Sequence, residues 1–174
     1  PNIIKQAARS FGSSTIVIAI EAIRESNGKY LAYTDNGREY TGLDVFEWAK
    51  EVEDLGAGEI VITSVDREGT GEGFDIDLIH PITEAAHIPV IVHGGAGKAE
   101  DIVTAIKQGG ADAVGVASIV HYEYTSKNVS RSATAIEGNV EFLKKRQSFK
   151  NLQITTVQEI KEVMNMSGIT VREG

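Results

Sequence analysis

Apolar and polar positions along this chain switch between a helical and a strand period, and the switches mark its elements. Residues 2–10 carry apolar side chains at helical spacing (Ile3, Ile4, Ala7, Ala8) and stop at Gly12. Thr15–Ile20 is β-branched and apolar at both parities, which predicts a strand buried from both sides. Residues 29–40 read as two short strands, Lys29–Tyr33 and Glu39–Tyr40, around a turn at Asp35-Asn36-Gly37. Asp44 is placed to cap a helix reaching Leu55, with Val45, Trp48, Ala49, Val52 and Leu55 on its inner stripe. Glu59–Ser64 is the second buried strand and Asp75–Ala86 the next helix. Strand Ile88–Val92, helix Lys98–Gln108 and strand Ala113–Ala117 follow. Each strand leads into a helix, so the expected class is α/β, four βα units with parallel strands.

An internal echo points toward a barrel. Gly56-Ala57-Gly58-Glu59-Ile60-Val61-Ile62-Thr63-Ser64 resembles Gly110-Ala111-Asp112-Ala113-Val114-Gly115-Val116-Ala117-Ser118. Gly-Ala before a buried strand is also common in any α/β protein, so the echo alone leaves both origins open. Four parallel βα units are half of an eight-unit barrel, a single half-barrel domain over residues 1–174. Such a half leaves two strand edges unpaired and one apolar sheet face uncovered, so a homo-oligomer completing the barrel is expected. After Ser118 the pattern loosens. Residues 123–150 form a polar inserted segment with a short helix at Asn139–Arg146, and Thr155 or Thr156 caps a last helix through Met166. In that last helix Ile160 and Val163 are the expected core contacts. Lys144-Lys145-Arg146 either contacts a phosphate or an acidic partner or is a solvated helix face.

Composition narrows the function. The chain has 174 residues with 17 basic and 25 acidic side chains, a net charge of −8. No basic face offsets phosphate charge, so nucleic acid is not the expected partner. There is no cysteine, which removes disulfides, thiolate metal ligands and a thiol nucleophile. The longest apolar stretches hold five residues, Ile16–Ile20 and Ile88–Val92, too short for a membrane span. No charged-then-apolar leader is seen, and a soluble, cytoplasmic chain is the expectation. Pro1 opens the chain without an initiator methionine, as a processed chain or a piece of a longer one would.

In a parallel βα fold, chemistry gathers at the carboxyl ends of the strands. Glu21 directly follows the first strand, partly desolvated, and is the best candidate for proton transfer. Asp66 and Glu68 form the other side of such a site; alternatively Asp66 pairs with Arg67 and Glu68 is solvated. His93-Gly94-Gly95-Ala96-Gly97 and Ala117-Ser118 both precede helices. There glycine amides, a hydroxyl and helix N-termini suit a phosphate. The other reading is a tight turn that needs glycine for backbone reasons alone. Glu59 shares the parity of Thr63 but lies at the opposite end of its strand. His80, His87, His93 and His121 lack ligand-like spacing, so no metal and no cofactor is expected.

The run Gly56 to Thr70, Gly94-Gly95-Ala96-Gly97-Lys98, and Ala111-Asp112-Ala113 through Ala117-Ser118 to His121-Tyr122 together resemble the cyclase subunit of imidazole glycerol phosphate synthase. Phe11-Gly12-Ser13 and Val17-Ile18-Ala19-Ile20 are similar to the fifth strand region of that (βα)8 TIM barrel. The likeness runs over residues 1–122, resumes near 155–173, and corresponds to the C-terminal half of the barrel. It implies an ammonia-dependent lyase of histidine biosynthesis, without cofactor, acting on a bisphosphate ribonucleotide with ammonia from a glutaminase subunit. By the resemblance, Glu21 and Glu68 are catalytic, and Thr63 is an active-site position beside the substrate. Gly69, His93, Gly94, Gly95, Ala117 and Ser118 bind one phosphate, and Glu59 is part of the ammonia gate. The family has aspartate at Glu21, usually aspartate at Glu68, and serine at His93. The added segment and the glutamates also resemble paralogues that deliver ammonia for amidination of an acetamido sugar in surface-polysaccharide synthesis. A phosphate-binding half barrel, inactive alone, is the third reading.

Overall fold

The computed structural model describes residues 1–128 and 151–172. Helix α1 (Asn2–Phe11) and a single 3-10 turn (Ser13–Thr15) lead into strand β1 (Val17–Arg24). A hairpin, β2 (Tyr30–Thr34) and β3 (Glu39–Asp44), precedes helix α2 (Val45–Asp54). Then come β4 (Glu59–Ser64), α3 (Ile76–Ala85), β5 (Val90–His93), α4 (Ala99–Lys107), β6 (Ala113–Val114) and α5 (Ser118–Asn128). Beyond residues 129–150 lies α6 (Val157–Met166). The expected helix at Asn139–Arg146 and the basic run Lys144-Lys145-Arg146 lie outside the described residues.

Among the described residues one six-stranded sheet runs in the order β3-β2-β1-β4-β5-β6. Strands β1, β4, β5 and β6 are parallel, and the hairpin adds antiparallel to β1. Among the described residues helices cover one face only. Ile20, Ala22, Ile60, Ile62, Val90 and Val92 point into the core that Val45, Val52, Leu78, Ile82, Ile102 and Ile119 complete. The opposite parity, with Val17 48% exposed and Ala19 exposed, lies on an open face. The expectation of strands buried from both sides therefore holds for one side: four βα units supply helices to the outside of a barrel and nothing to its inside.

The sheet keeps two edge strands, as expected, but one of them is β3 rather than β1. Glu21, Ala22, Ile23 and Arg24 pair with Tyr33, Ala32, Leu31 and Tyr30, so the hairpin covers the carboxyl half of the β1 edge. Among the described residues Val17–Ile20 have only β4 beside them. Two helix starts follow the sequence closely. Asp44 accepts from the amides of Phe46 and Glu47, and Thr156 forms a reciprocal cap with Glu159 on α6. Ile160 is buried, and Val163 packs partly buried on the same core.

Candidate active site

The strand register sets the geometry of the open face. Glu21 on β1 pairs with Thr63 on β4, and Thr63 with His93 on β5. Partners in a parallel ladder point the same way about 4.8 Å apart, so these three side chains form one row near the carboxyl ends. The row below is apolar: Ala19, Val61, Ile91 and Ala113. Two sequence expectations shift here. Glu21 lies inside β1 rather than after it, because the strand begins at Val17 and runs to Arg24. His93 is the last residue of β5 rather than the first of a loop, because it still pairs with Thr63 in the β4–β5 ladder.

The hairpin tip determines how Glu21 is held. Asp35, Asn36 and Gly37 all have positive φ (54°, 55° and 75°), which turns the chain back tightly. The Gly37 amide then donates to Glu21 Oε2 at 3.0 Å. A Cβ on Gly37 would meet Val65 Cγ1 at 2.9 Å and Ile23 Cδ1 at 3.1 Å, so glycine allows the tip to sit this close. The hairpin root is fixed elsewhere. Tyr30, buried, donates to both Asp75 oxygens at 3.0 Å, and Asp75 also caps α3 through the Leu78 amide. Burial pushes the Tyr30 phenol far above its usual range, and the Asp75 hydrogen bond adds to the shift. Tyr33 is shifted the same way, first by its hydrogen bond to Glu25.

The turn after β4 divides the acidic candidates. Asp66 Oδ2 accepts from the Arg24 amide at 2.7 Å, tying this turn to β1. Arg67 pairs with Glu72 at 3.4 Å, so the alternative reading of an Asp66–Arg67 pair is not what forms. The Glu68 carboxylate is exposed and has no hydrogen bond or ion pair among the described residues, to Glu21 or any other group. Gly69, with φ 73°, is exposed in the same turn.

The glycine loop is packed more tightly than a free cradle. A Cβ on Gly94 would lie 2.6 Å from the Ser64 carbonyl, one on Gly95 would overlap the Gly73 carbonyl, and one on Gly97 would overlap the Gly71 carbonyl. The amides of Gly97 and Lys98 both donate to Asp101 Oδ2, at 2.8 and 3.1 Å, so the α4 start is capped from within its own helix. Backbone approach thus explains these glycines, and the next helix start at this end of the sheet is that of α5. There Val120 and His121 donate to the Ala117 carbonyl, and Ser118 opens the helix ahead of them. Gly115 lies beside His93: a Cβ on it would meet the His93 ring at 3.0 Å. Glu59, half-buried on the open face beside Val17, sits four residues below Thr63, roughly 13 Å away along the strand. No cation pairs with it among the described residues. Sequence reasoning missed the Gly37 contact, although Gly37 in a positive-φ turn was the available signal. No group of three or more His, Asp or Glu that could hold a metal occurs among the described residues.

A mostly parallel sheet with helices on one face and polar side chains at its carboxyl ends places the chain in the TIM-barrel class, as part of a barrel. The family model described as histidine biosynthesis protein matches residues 1–126, and the chain belongs to that family. It is 46% identical over 126 residues to the imidazole glycerol phosphate synthase subunit HisF of Alkaliphilus metalliredigens, covering 72% of this chain and 50% of that protein. It is 50% identical over 127 residues to the subunit of the same name from Pyrobaculum aerophilum, covering 72% and 49%. The chain thus spans about half the length of these curated relatives. Among the described residues no helix is long and apolar enough to cross a membrane.

Proposed function

We propose that the chain is the C-terminal half of a cyclase of the imidazole glycerol phosphate synthase type, a lyase of histidine biosynthesis. It joins ammonia, delivered by a glutaminase subunit, to a phosphoribulosyl aminoimidazole carboxamide ribonucleotide and closes the imidazole ring. The observation that carries this reading is the Glu21–Thr63–His93 row on the open face of a chain 46% identical to a synthase subunit. Glu21, fixed through Oε2 by the Gly37 amide, moves a proton at the reacting carbon, and Thr63 offers a hydroxyl beneath the substrate. One phosphate is held by the α5 start at Ala117 and Ser118 with Gly94, Gly95 and Gly69 around it, and His93 borders that site. Glu68 reaches the substrate only if its turn closes over the open face. Glu59, at the far end of the sheet, lies where ammonia enters a completed barrel. A second half, either another copy or the complementary half of a relative, covers the open face.

Growth tests this directly. Expressed with the N-terminal half of a matched relative, the chain is expected to restore histidine-independent growth to a strain lacking its cyclase. No restoration, with both halves present and folded, contradicts the proposal.

A further inference from the structure

We infer that Asp66 is a positioning residue whose carboxylate replaces a main-chain acceptor between β1 and β4 and so sets the loop that presents Glu68. This rests on the cyclase reading above and deepens it. The parallel ladder of β1 and β4 ends at the pair Ala22–Ser64, and the Val65 amide donates to the Ala22 carbonyl at 3.0 Å. The next rung of such a ladder would join the Arg24 amide to the Val65 carbonyl. The chain turns away at that point. The Arg67 and Glu68 amides donate back to the Ser64 carbonyl, at 3.2 and 3.1 Å, and Glu68 also donates to the Val65 carbonyl at 3.3 Å. Asp66 Oδ2 accepts from the Arg24 amide instead, at 2.7 Å. One side chain thus carries the ladder a rung past the last residue of β4, and a carboxylate accepts such a bond more strongly than a carbonyl.

The far end of the same loop is fastened to the same place. Arg24 faces Tyr30 across β1 and β2, and the Tyr30 hydroxyl donates to both oxygens of Asp75. Two carboxylates, Asp66 and Asp75, therefore tie the start and the end of the β4–α3 connection to one cross-strand pair. Between them the Gly73 amide donates to the Gly95 carbonyl at 2.8 Å, and Thr70 Oγ1 to the Arg67 carbonyl at 2.8 Å. Glu68 lies exposed between these anchors, with no hydrogen bond or ion pair of its own among the described residues. Its place is set by the loop, and closure over the open face starts from fixed ends.

The two anchors differ in what they serve. Asp75 is buried and also caps α3 through the Leu78 amide, so it belongs to the core. Asp66 is exposed, and the bond to the Arg24 amide is its one hydrogen bond among the described residues. Its contribution is to the register of the loop against β1, the strand that carries Glu21. An uncharged oxygen of the same reach can make that bond, whereas proton transfer needs the carboxylate itself.

The test is ammonium-driven turnover by the full chain assembled with its complementary half. It compares wild type, Asp66→Asn, Asp66→Ala, Glu68→Gln and the double variant Asp66→Ala with Glu68→Gln. Asp66→Asn keeps an acceptor oxygen and is expected to retain kcat within a few fold. Asp66→Ala is expected to lower kcat by about 10- to 10²-fold, the loss that a displacement of about 1 Å brings. In the Glu68→Gln background the same change should cost almost nothing further, since the group that the loop places is already gone. Amide hydrogen exchange at Arg24 should quicken about tenfold in Asp66→Ala and stay near wild type in Asp66→Asn. If Asp66→Ala folds poorly, Asp66→Asn still decides, because a proton-transfer role would cost it about 10²- to 10⁴-fold. Loss of turnover in Asp66→Asn, an unchanged Asp66→Ala, additive losses with Glu68→Gln, or unchanged exchange at Arg24 each overturns the inference and leaves the cyclase reading standing. No turnover by wild type overturns the cyclase reading and the inference with it.

Discussion

Tyr30 and Asp75 stand 45 residues apart in sequence and meet in the core, the hydroxyl serving both carboxylate oxygens. Tyr30→Phe leaves a buried carboxylate with the Leu78 amide as its remaining donor. A loss of about 1–3 kcal/mol is expected in urea unfolding. Folding raises this phenol above its ordinary 10.0, so the folded chain keeps a proton that the unfolded chain releases. That stabilisation is complete below pH 10.0 and falls as pH rises beyond it. Wild type is therefore expected to lose stability above pH 10 more steeply than Tyr30→Phe in thermal scans; parallel losses would contradict the pairing. At this scale the sequence was partly legible. Glu21, Thr63 and His93 could each be named from the ends of apolar strands. Their common row could not, because it depends on strands beginning at Val17 and Val90 rather than Thr15 and Ile88. The Tyr30–Asp75 contact left no local mark at all.

The hairpin is the element that reading along the chain underestimates. Its turn is written in Asp35-Asn36-Gly37, but the β1 edge it joins lies before it and carries no pairing signal. Docked there, its tip holds the Glu21 carboxylate. Gly37→Ala forces a Cβ into Val65 at a φ of 75°, and roughly 1–2 kcal/mol of strain is expected. Turnover should fall further than melting alone explains, since the amide that fixes Glu21 moves with the tip. Unchanged turnover in a folded Gly37→Ala protein would show that the tip does not position the acid. Helix α6 offers a contrast, since its cap was legible. Thr156→Ala removes the acceptor for the Glu159 amide and is expected to cost about 1 kcal/mol in denaturant unfolding. Local pairs three residues apart are readable from sequence, whereas the docking of whole elements is not.

For the whole molecule the parallel βα order was readable because buried strands and amphipathic helices alternate with little interruption. The open face was not, because a strand apolar at both parities reads as buried whether or not a second layer is present. Val17 and Ala19 are exposed on that side, next to the Val17–Ile20 edge that among the described residues only β4 pairs. Association through this face is expected, and sedimentation at micromolar concentration should show a dimer or larger species. A stable monomer would contradict it.

The central claim is that this half barrel carries cyclase chemistry centred on Glu21. Its most direct test is the rate of imidazole glycerol phosphate formation from the bisphosphate ribonucleotide at saturating ammonium. The wild-type chain and Glu21→Gln, each assembled with the complementary half, would be compared. Measurable turnover that falls about 10²- to 10⁴-fold in Glu21→Gln is predicted. Equal rates in the two proteins, or none in wild type, would contradict the account.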